Sequence, residues 1–117
     1  MASNASDPLA ALTPAVDVHA APSTPFLIVG ITARQTHFRP SDWADRLAGV
    51  MASFQPPGFR GDHRLQVSPY AVPTRYAGIS SVRVDPALGQ IEPMALTFLL
   101  SFARDNELML ALTSEDR

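Results

Sequence analysis

The chain has 117 residues, with nine basic side chains, eleven acidic ones and no cysteine, and a formal net charge of −2 at pH 7. A chain of this length holds one domain, and without cysteine it has no disulfides, thiolate zinc sites or cysteine nucleophiles. The near-zero charge argues against a nucleic-acid-binding protein, and no run of about 18 apolar residues exists to cross a membrane. Because a basic and apolar secretory signal is also missing, we expect a cytoplasmic protein.

The first 25 residues differ in composition from the rest of the chain. Residues 1–25 are rich in Ala, Pro, Ser and Thr and contain no aromatic side chain. Such a segment buries too little apolar surface to offset the entropy of ordering, so we predict a disordered tail, with a partner-binding arm as the alternative. A single folded domain is predicted over 26–113, and residues 114–117 are expected to fray.

Order is predicted to begin with a buried strand. Residues 26–32 form a β-branched, apolar run that is typical of a central strand covered on both faces. After a turn at 33–35, residues 36–39 alternate polar and apolar side chains, which favours a short hairpin strand.

The first helix is predicted to start after Pro40, with Ser41 as its N-cap and Asp42 near the positive end of its dipole. One face carries apolar side chains at helical spacing: Trp43, Leu47, Val50, Met51 and Phe54. Residues 55–58, Gln-Pro-Pro-Gly, should end the helix, and 55–63 should form a loop.

The second half alternates strands and a helix. Residues 64–68 and 79–84 are predicted strands, separated by a connector at 70–78, and 108–112 is the last strand. A second helix is predicted from Glu92-Pro93, because proline suits the first helical position. Its buried face should contain Met94, Ala95, Phe98, Leu99 and Phe102, widened by Leu96 and Leu100.

These elements predict an α+β fold with a ferredoxin-like split βαββαβ order. In this sandwich an antiparallel sheet carries two helices on one face. If the 36–39 segment pairs as a hairpin strand, the sheet has five strands instead of four.

Several segments resemble an uncharacterised proteobacterial family known only as a domain of unknown function. The resemblance is carried by Phe-Arg-Pro-Ser-Asp-Trp-Ala-Asp-Arg-Leu at 38–47, by Ser-Pro-Tyr at 68–70, by Val-Asp-Pro at 84–86 and by parts of 92–106. It implies one compact bacterial domain. Since the family has no assigned activity, the resemblance transfers no functional residue.

The start of the first helix is a candidate anion site. The unpaired backbone N–H groups of a helix start, together with Arg39, Ser41 and Asp42, are suited to a phosphate or a carboxylate. The alternative is purely structural: the helix is capped, Trp43 anchors the core, and Arg39 pairs with Asp42.

No residue set predicts catalysis, a metal or a cofactor. The three histidines are His19, His37 and His63, and no pair of them has helical metal-ligand spacing. Asp62-His63 is either a two-residue fragment of a reactive site or part of a solvated loop.

The loop at 55–63 and the connector at 70–78 form a candidate partner surface. Aromatic and arginine side chains are typical interface anchors. The residues concerned are Phe59, Arg60, Tyr70, Arg75 and Tyr76. The alternative is that these side chains pack onto the protein's own core.

The sequence therefore favours a small non-enzymatic binding or regulatory module, which acts as a homodimer or with a protein partner. RNA binding is disfavoured because residues 79–84 offer no aromatic side chain for base stacking. The alternative is a small enzyme or an anion-ligand-binding protein that uses the 39–43 helix start.

Overall fold

The computed structural model describes residues 12–14, 24–52, 68 and 70–112. Within these residues the chain forms five strands and three helices in the following order: β1 (Thr13–Pro14), β2 (Phe26–Thr32), α1 (Trp43–Val50), β3 (Ala71–Tyr76), β4 (Ile79–Val84), α2 (Leu88–Ile91), α3 (Pro93–Asp105) and β5 (Leu108–Leu112). None of the helices in this part of the chain has the length and apolar character needed to span a bilayer.

The strands form one sheet in the order β1-β5-β2-β4-β3, and every neighbouring pair is antiparallel. The predicted α+β class and antiparallel sheet are confirmed. Without the short elements β1 and α2, the chain order is β, α, β, β, α, β, which is compatible with the predicted ferredoxin-like sandwich.

Strand β2 is buried on both faces, as its unbroken apolar run predicts. Phe26 and Ile28 face the layer of helices, whereas Leu27 and Val29 belong to a second cluster on the opposite face. Helices α1 and α3 both pack on the first face through side chains that include Trp43, Leu47, Ala95, Leu99, Leu100 and Ala103. The two-helix layer of the predicted sandwich is therefore present.

The fifth strand does not come from the predicted hairpin. Residues 36–39 make only an isolated bridge between Ile31 and His37. Instead β1 pairs with the outer edge of β5, and Leu12 packs on the second cluster. The predicted disordered tail therefore does not extend through residues 12–14, because an open edge of β5 supplies hydrogen-bond partners. Residues 1–11, 15–23 and 113–117 lie outside the described residues.

The prediction of a connector at 70–78 is wrong, because 71–76 is strand β3. Pro73 is tolerated there since β3 is an edge strand, where a missing N–H breaks no inner ladder. Of the predicted strand at 64–68, the structure describes Ser68, which bridges to Ala71.

A tight turn joins β3 to β4. Tyr76 pairs with Ile79, and the two turn residues both have positive φ, 51° at Ala77 and 80° at Gly78. This is the left-handed geometry of a type I′ hairpin turn, which prefers Asn-Gly.

Replacing Ala77 with asparagine should raise the free energy of unfolding by about 0.5–1 kcal/mol, because asparagine tolerates left-handed backbone better than alanine. Urea denaturation measures this change. Gly78→Ala is the opposing variant and should lower the free energy of unfolding by about 1 kcal/mol. A loss of stability in Ala77→Asn would contradict the turn assignment.

Helix α1 begins one residue later than the predicted N-cap implies. Its N-cap is Asp42, not Ser41, and the Asp42 side chain makes no capping hydrogen bond. The Asp42 carboxylate instead accepts a hydrogen bond from Arg46 Nε at 2.9 Å. Val50, predicted on the buried stripe, is 59% exposed, and Phe54 lies outside the described residues.

The buried stripe of α3 is shifted from the predicted one. Ala95, Leu99, Leu100 and Ala103 are buried, whereas Met94 is 73% exposed and Phe98 is 45% exposed. The short helix α2, which the sequence did not predict, buries Leu88 and occupies the space beside the start of α3. The predicted helix start at Pro93 is confirmed.

Candidate anion-binding site

A cavity of about 240 Å³ opens where the carboxyl end of β2 meets the β3–β4 turn and the loop at 33–42. We call it the arginine cavity. Its polar side chains include Arg39 and His37 from the loop on one side and Arg75 from β3 on the other. Ser41 and Ser80 add hydroxyl groups. Among the described residues, no carboxylate lines this cavity.

The loop at 33–42 is held against β2 by backbone hydrogen bonds. Thr32 N–H donates to Thr36 O at 2.9 Å, and Phe38 N–H donates to Gly30 O at 2.9 Å. The hydroxyl oxygens of Thr32 and Thr36 are 2.7 Å apart and hydrogen-bonded. These bonds place the exposed side chains that follow, Arg39 and Ser41, at the mouth of the cavity.

Arg75 reaches the cavity from the edge strand. It pairs with Ser80 in the β3–β4 ladder, so the two side chains lie on the same face of the sheet. Arg75 Nη1 donates a hydrogen bond to Gly78 O at 3.1 Å, which ties the guanidinium to the turn. An arginine has five N–H donors in a planar fork, so most of its donors remain for a ligand.

Trp43 closes the inner wall of the cavity. Its side chain is 4% exposed, and its Nε1 atom is buried with no hydrogen-bond partner among the described residues. The ring packs edge-on against Phe38, with 5.6 Å between the ring centroids, and stacks on Phe102, with 6.0 Å between the centroids. A buried N–H group without an acceptor costs about 1–3 kcal/mol, so its presence here calls for an explanation.

Gly30 allows the tryptophan to come this close to the sheet. A Cβ atom at position 30 would lie 2.6 Å from both Trp43 Nε1 and the Ser80 carbonyl oxygen. Such distances are well inside van der Waals contact, so the position admits no side chain. The missing side chain explains a glycine in the middle of a buried central strand.

A second cavity of about 440 Å³ adjoins the first and shares Ser41, Arg75 and Ser80 with it. We call it the Asp45 cavity. Its other described lining residues are Ala44, Asp45, Pro73 and Thr74. These side chains are small or polar, and none of them is aromatic.

The three residues of the predicted anion site do not lie together in the structure. Arg39 and Ser41 line the arginine cavity, whereas Asp42 faces away and forms an exposed ion pair with Arg46. The alternative pairing of Arg39 with Asp42 is therefore not formed. Sequence reasoning missed Arg75 and the Trp43 N–H as parts of this site. Recognising 71–76 as a strand would have placed Arg75 opposite Ser80, but nothing local connects either residue to Arg39.

The predicted partner surface is also divided. Tyr70 is 8% exposed in the helix-side core, whereas Tyr76 packs on the cluster of the opposite face. Arg75 belongs to the arginine cavity, and Phe59 and Arg60 lie outside the described residues. The tyrosines are therefore not neighbours on one surface, and a homodimer or protein partner stays a prediction.

Within the described part of the chain, no three His, Asp or Glu side chains come together. Of the histidines, His37 is exposed and lines the arginine cavity. His19 and the predicted Asp62-His63 fragment lie outside the described residues.

Comparison with known proteins gives a family and a fold neighbour. A family model described as "Protein of unknown function (DUF3579)" matches residues 22–113, a span that contains every described element except β1. A solution structure described as the first structural representative of its family is 30% identical to this chain, with a TM-score of 0.63. The match covers 79% of this chain and 81% of that chain. No match is found among the curated proteins.

Proposed function

We propose a function for this chain, which belongs to the DUF3579 family of proteins of unknown function: it is a small non-enzymatic module that binds an anionic group in the arginine cavity. The group is a phosphate or a carboxylate. The observation that carries the proposal is the set of donor side chains around the cavity, including Trp43, whose buried N–H has no acceptor in the described part of the chain.

Charge and hydrogen-bond polarity both favour an anion. Arg39 and Arg75 approach from different elements, and their guanidinium groups are suited to the planar, bidentate binding of carboxylate or phosphate oxygens. The start of α1 adds the positive end of its dipole beside Ser41. A cavity of about 240 Å³ is smaller than the sites of drug-sized ligands, about 300–1,000 Å³, and suits a single acidic group.

The buried tryptophan N–H is the most specific part of the argument. Its Nε1 donor is buried and has no acceptor among the described residues, and the Trp43 side chain lines a cavity that also contains two arginines. A ligand oxygen that accepts this hydrogen bond removes the cost of the unsatisfied donor. The free energy that the unpaired donor costs the folded chain therefore adds to the free energy of binding.

A small enzyme that acts on an anionic substrate is the alternative. It draws support from His37 and Ser41, a base and a hydroxyl that line the same cavity. Catalysis by such a pair needs a third group that orients the histidine, and no described carboxylate lines this cavity. Binding without catalysis is therefore the better supported function.

Titration with inorganic phosphate, and separately with acetate, should move the indole N–H resonance of Trp43 in a saturable way. The chain contains a single tryptophan, so its indole N–H resonance is unambiguous. The backbone amides of residues 37–43 should shift together with it. Arg39→Gln and Arg75→Gln should each weaken binding about tenfold, the value of one charge-assisted hydrogen bond.

Arg83→Gln is the matched control. Arg83 is also exposed and on the same hairpin, but it lies on the opposite face of the sheet, in register with Leu27. Its replacement should leave the affinity unchanged. Equal weakening in all three variants would show nonspecific charge attraction, and an unmoved indole signal at saturation would remove Trp43 from the site.

A further inference from the structure

The arginine cavity adjoins the Asp45 cavity, which adds a carboxylate to the arginine that the two cavities share. Ser41, Arg75 and Ser80 line both cavities, so a ligand held by Arg75 borders both spaces. Beyond Arg75 the wall carries Asp45, the one carboxylate among the described residues that line either cavity. A ligand that fills both cavities therefore meets cations at one end and an anion at the other.

Asp45 differs from its neighbour Asp42 in a way that matters for binding. Both are exposed, and both lie at the start of α1. The Asp42 carboxylate forms an exposed ion pair with Arg46, with 2.9 Å between the carboxylate oxygen and Nε. Within the described part of the chain, the Asp45 side chain has no such ion pair and no hydrogen bond. Its carboxylate is therefore available as an acceptor that faces a cavity.

The remaining walls restrict what the second group can be. Ala44 and Pro73 are small, and Thr74 offers a hydroxyl, but no described aromatic side chain is present for stacking. A nucleotide base bound there would lack the stacking partner on which base binding commonly relies. A short, polar, aliphatic group matches the lining better.

We infer that the ligand is a small bipolar molecule: an acidic group in the arginine cavity and an ammonium group beside Asp45, joined by a short aliphatic chain. Amino acids and phosphorylated amino alcohols have this chemistry. The inference rests on the proposed anion-binding function and adds the second, cationic end of the ligand. The Trp43 N–H and Arg39 hold the acidic end, and the Asp45 carboxylate selects for the ammonium group.

Two pairs of probes separate the two ends of the ligand. Phosphoethanolamine is compared with ethyl phosphate, and β-alanine with propionate, by NMR titration of the full chain at one pH and ionic strength. Within each pair, the probe with an ammonium group should bind about 2- to 5-fold more tightly, the range expected for one exposed ion pair. The pair with the higher affinity identifies the acidic group as phosphate or carboxylate.

Asp45→Asn should abolish the advantage of the ammonium-bearing probe and leave the binding of ethyl phosphate or propionate unchanged. Asp42→Asn is the matched control, and it should leave the advantage intact because the Asp42 carboxylate is already paired. Equal binding within both pairs, or an advantage that survives Asp45→Asn, would overturn the bipolar ligand but not the anion site. Failure of all four probes to bind would overturn both.

Discussion

Replacement of Trp43 with alanine should lower the free energy of unfolding by about 3–5 kcal/mol, the usual cost of emptying a buried aromatic position. Trp43 is 4% exposed and joins the loop at 33–42 to α3 through its contacts with Phe38 and Phe102. Its loss therefore opens a cavity between three elements. Urea denaturation, followed by circular dichroism because the fluorophore is removed, measures the effect.

Two variants test whether the packing is the cause. Phe98→Ala removes a ring from the same aromatic group, but Phe98 is 45% exposed and contacts Phe102 at 6.5 Å, so its loss should cost about 1 kcal/mol. Trp43→Phe should cost less than half as much as Trp43→Ala, because it keeps a ring and deletes the unsatisfied N–H. Equal costs for Trp43→Ala and Phe98→Ala would mean that Trp43 is not the anchor of this core.

Gly30→Ala has the second largest expected effect. A Cβ atom there would lie 2.6 Å from the Ser80 carbonyl oxygen and 2.6 Å from Trp43 Nε1. The first neighbour is backbone of the adjacent strand, so the clash is relieved only by separating β2 from β4 or displacing the indole ring. Overpacking of this kind costs about 1–3 kcal/mol, and the position in a central strand places the loss toward the upper end. Thermal or urea denaturation measures it.

Gly49→Ala makes the same substitution at an exposed helix position instead of a crowded strand position. Gly49 lies on an exposed position of α1, and a Cβ atom there would meet no described residue within 4 Å. Alanine should stabilise the helix by about 0.5–1 kcal/mol relative to glycine. The two glycine variants are therefore expected to change stability with opposite signs. A neutral or stabilising Gly30→Ala would contradict the close approach of Trp43 to β2.

The glycine and the tryptophan also connect the stability of the fold to its proposed function. Gly30 lets the indole ring lie directly on the sheet, and Trp43, which lines the arginine cavity, has a buried Nε1 with no acceptor among the described residues. A buried donor of this kind is unfavourable for the folded chain alone. Trp43→Phe should lower the free energy of unfolding less than Trp43→Ala does. It should nevertheless weaken anion binding, because it removes the Nε1 donor.

Sequence patterns within a single segment were enough to predict the elements that do not depend on which partner the segment packs against. The β-branched run at 26–32 is buried on both sides wherever the sheet is placed, so β2 follows from composition. Pro93 starts α3 because its ring is compatible with the first helical turn and with nothing later in a helix. Arg39, Ser41 and Asp42 were predicted as a candidate anion site because they stand at a helix start, and this site stays a prediction.

The two edge strands of the sheet were not predicted, because each depends on a partner strand distant in the sequence. Strand β1 exists because the edge of β5 offers it hydrogen bonds, and β3 tolerates Pro73 because it lies at the other edge. The α3 stripe was misplaced at Phe98 because periodicity defines an apolar face but not how much of it the sheet covers.

The candidate site shows the same difference between what the local sequence predicts and what the tertiary structure determines. Sequence alone predicted that an arginine and a serine stand at the start of a helix and that Trp43 in its first turn is buried. Only the tertiary structure decided that Arg75 faces them across a cavity, that Gly30 admits the indole, and that Asp45 rather than Asp42 is the available carboxylate. The physical reason is that hydrogen bonding and helical period act between near neighbours in the chain. The meeting of β2, β3 and α1 instead depends on how separate apolar faces are buried together.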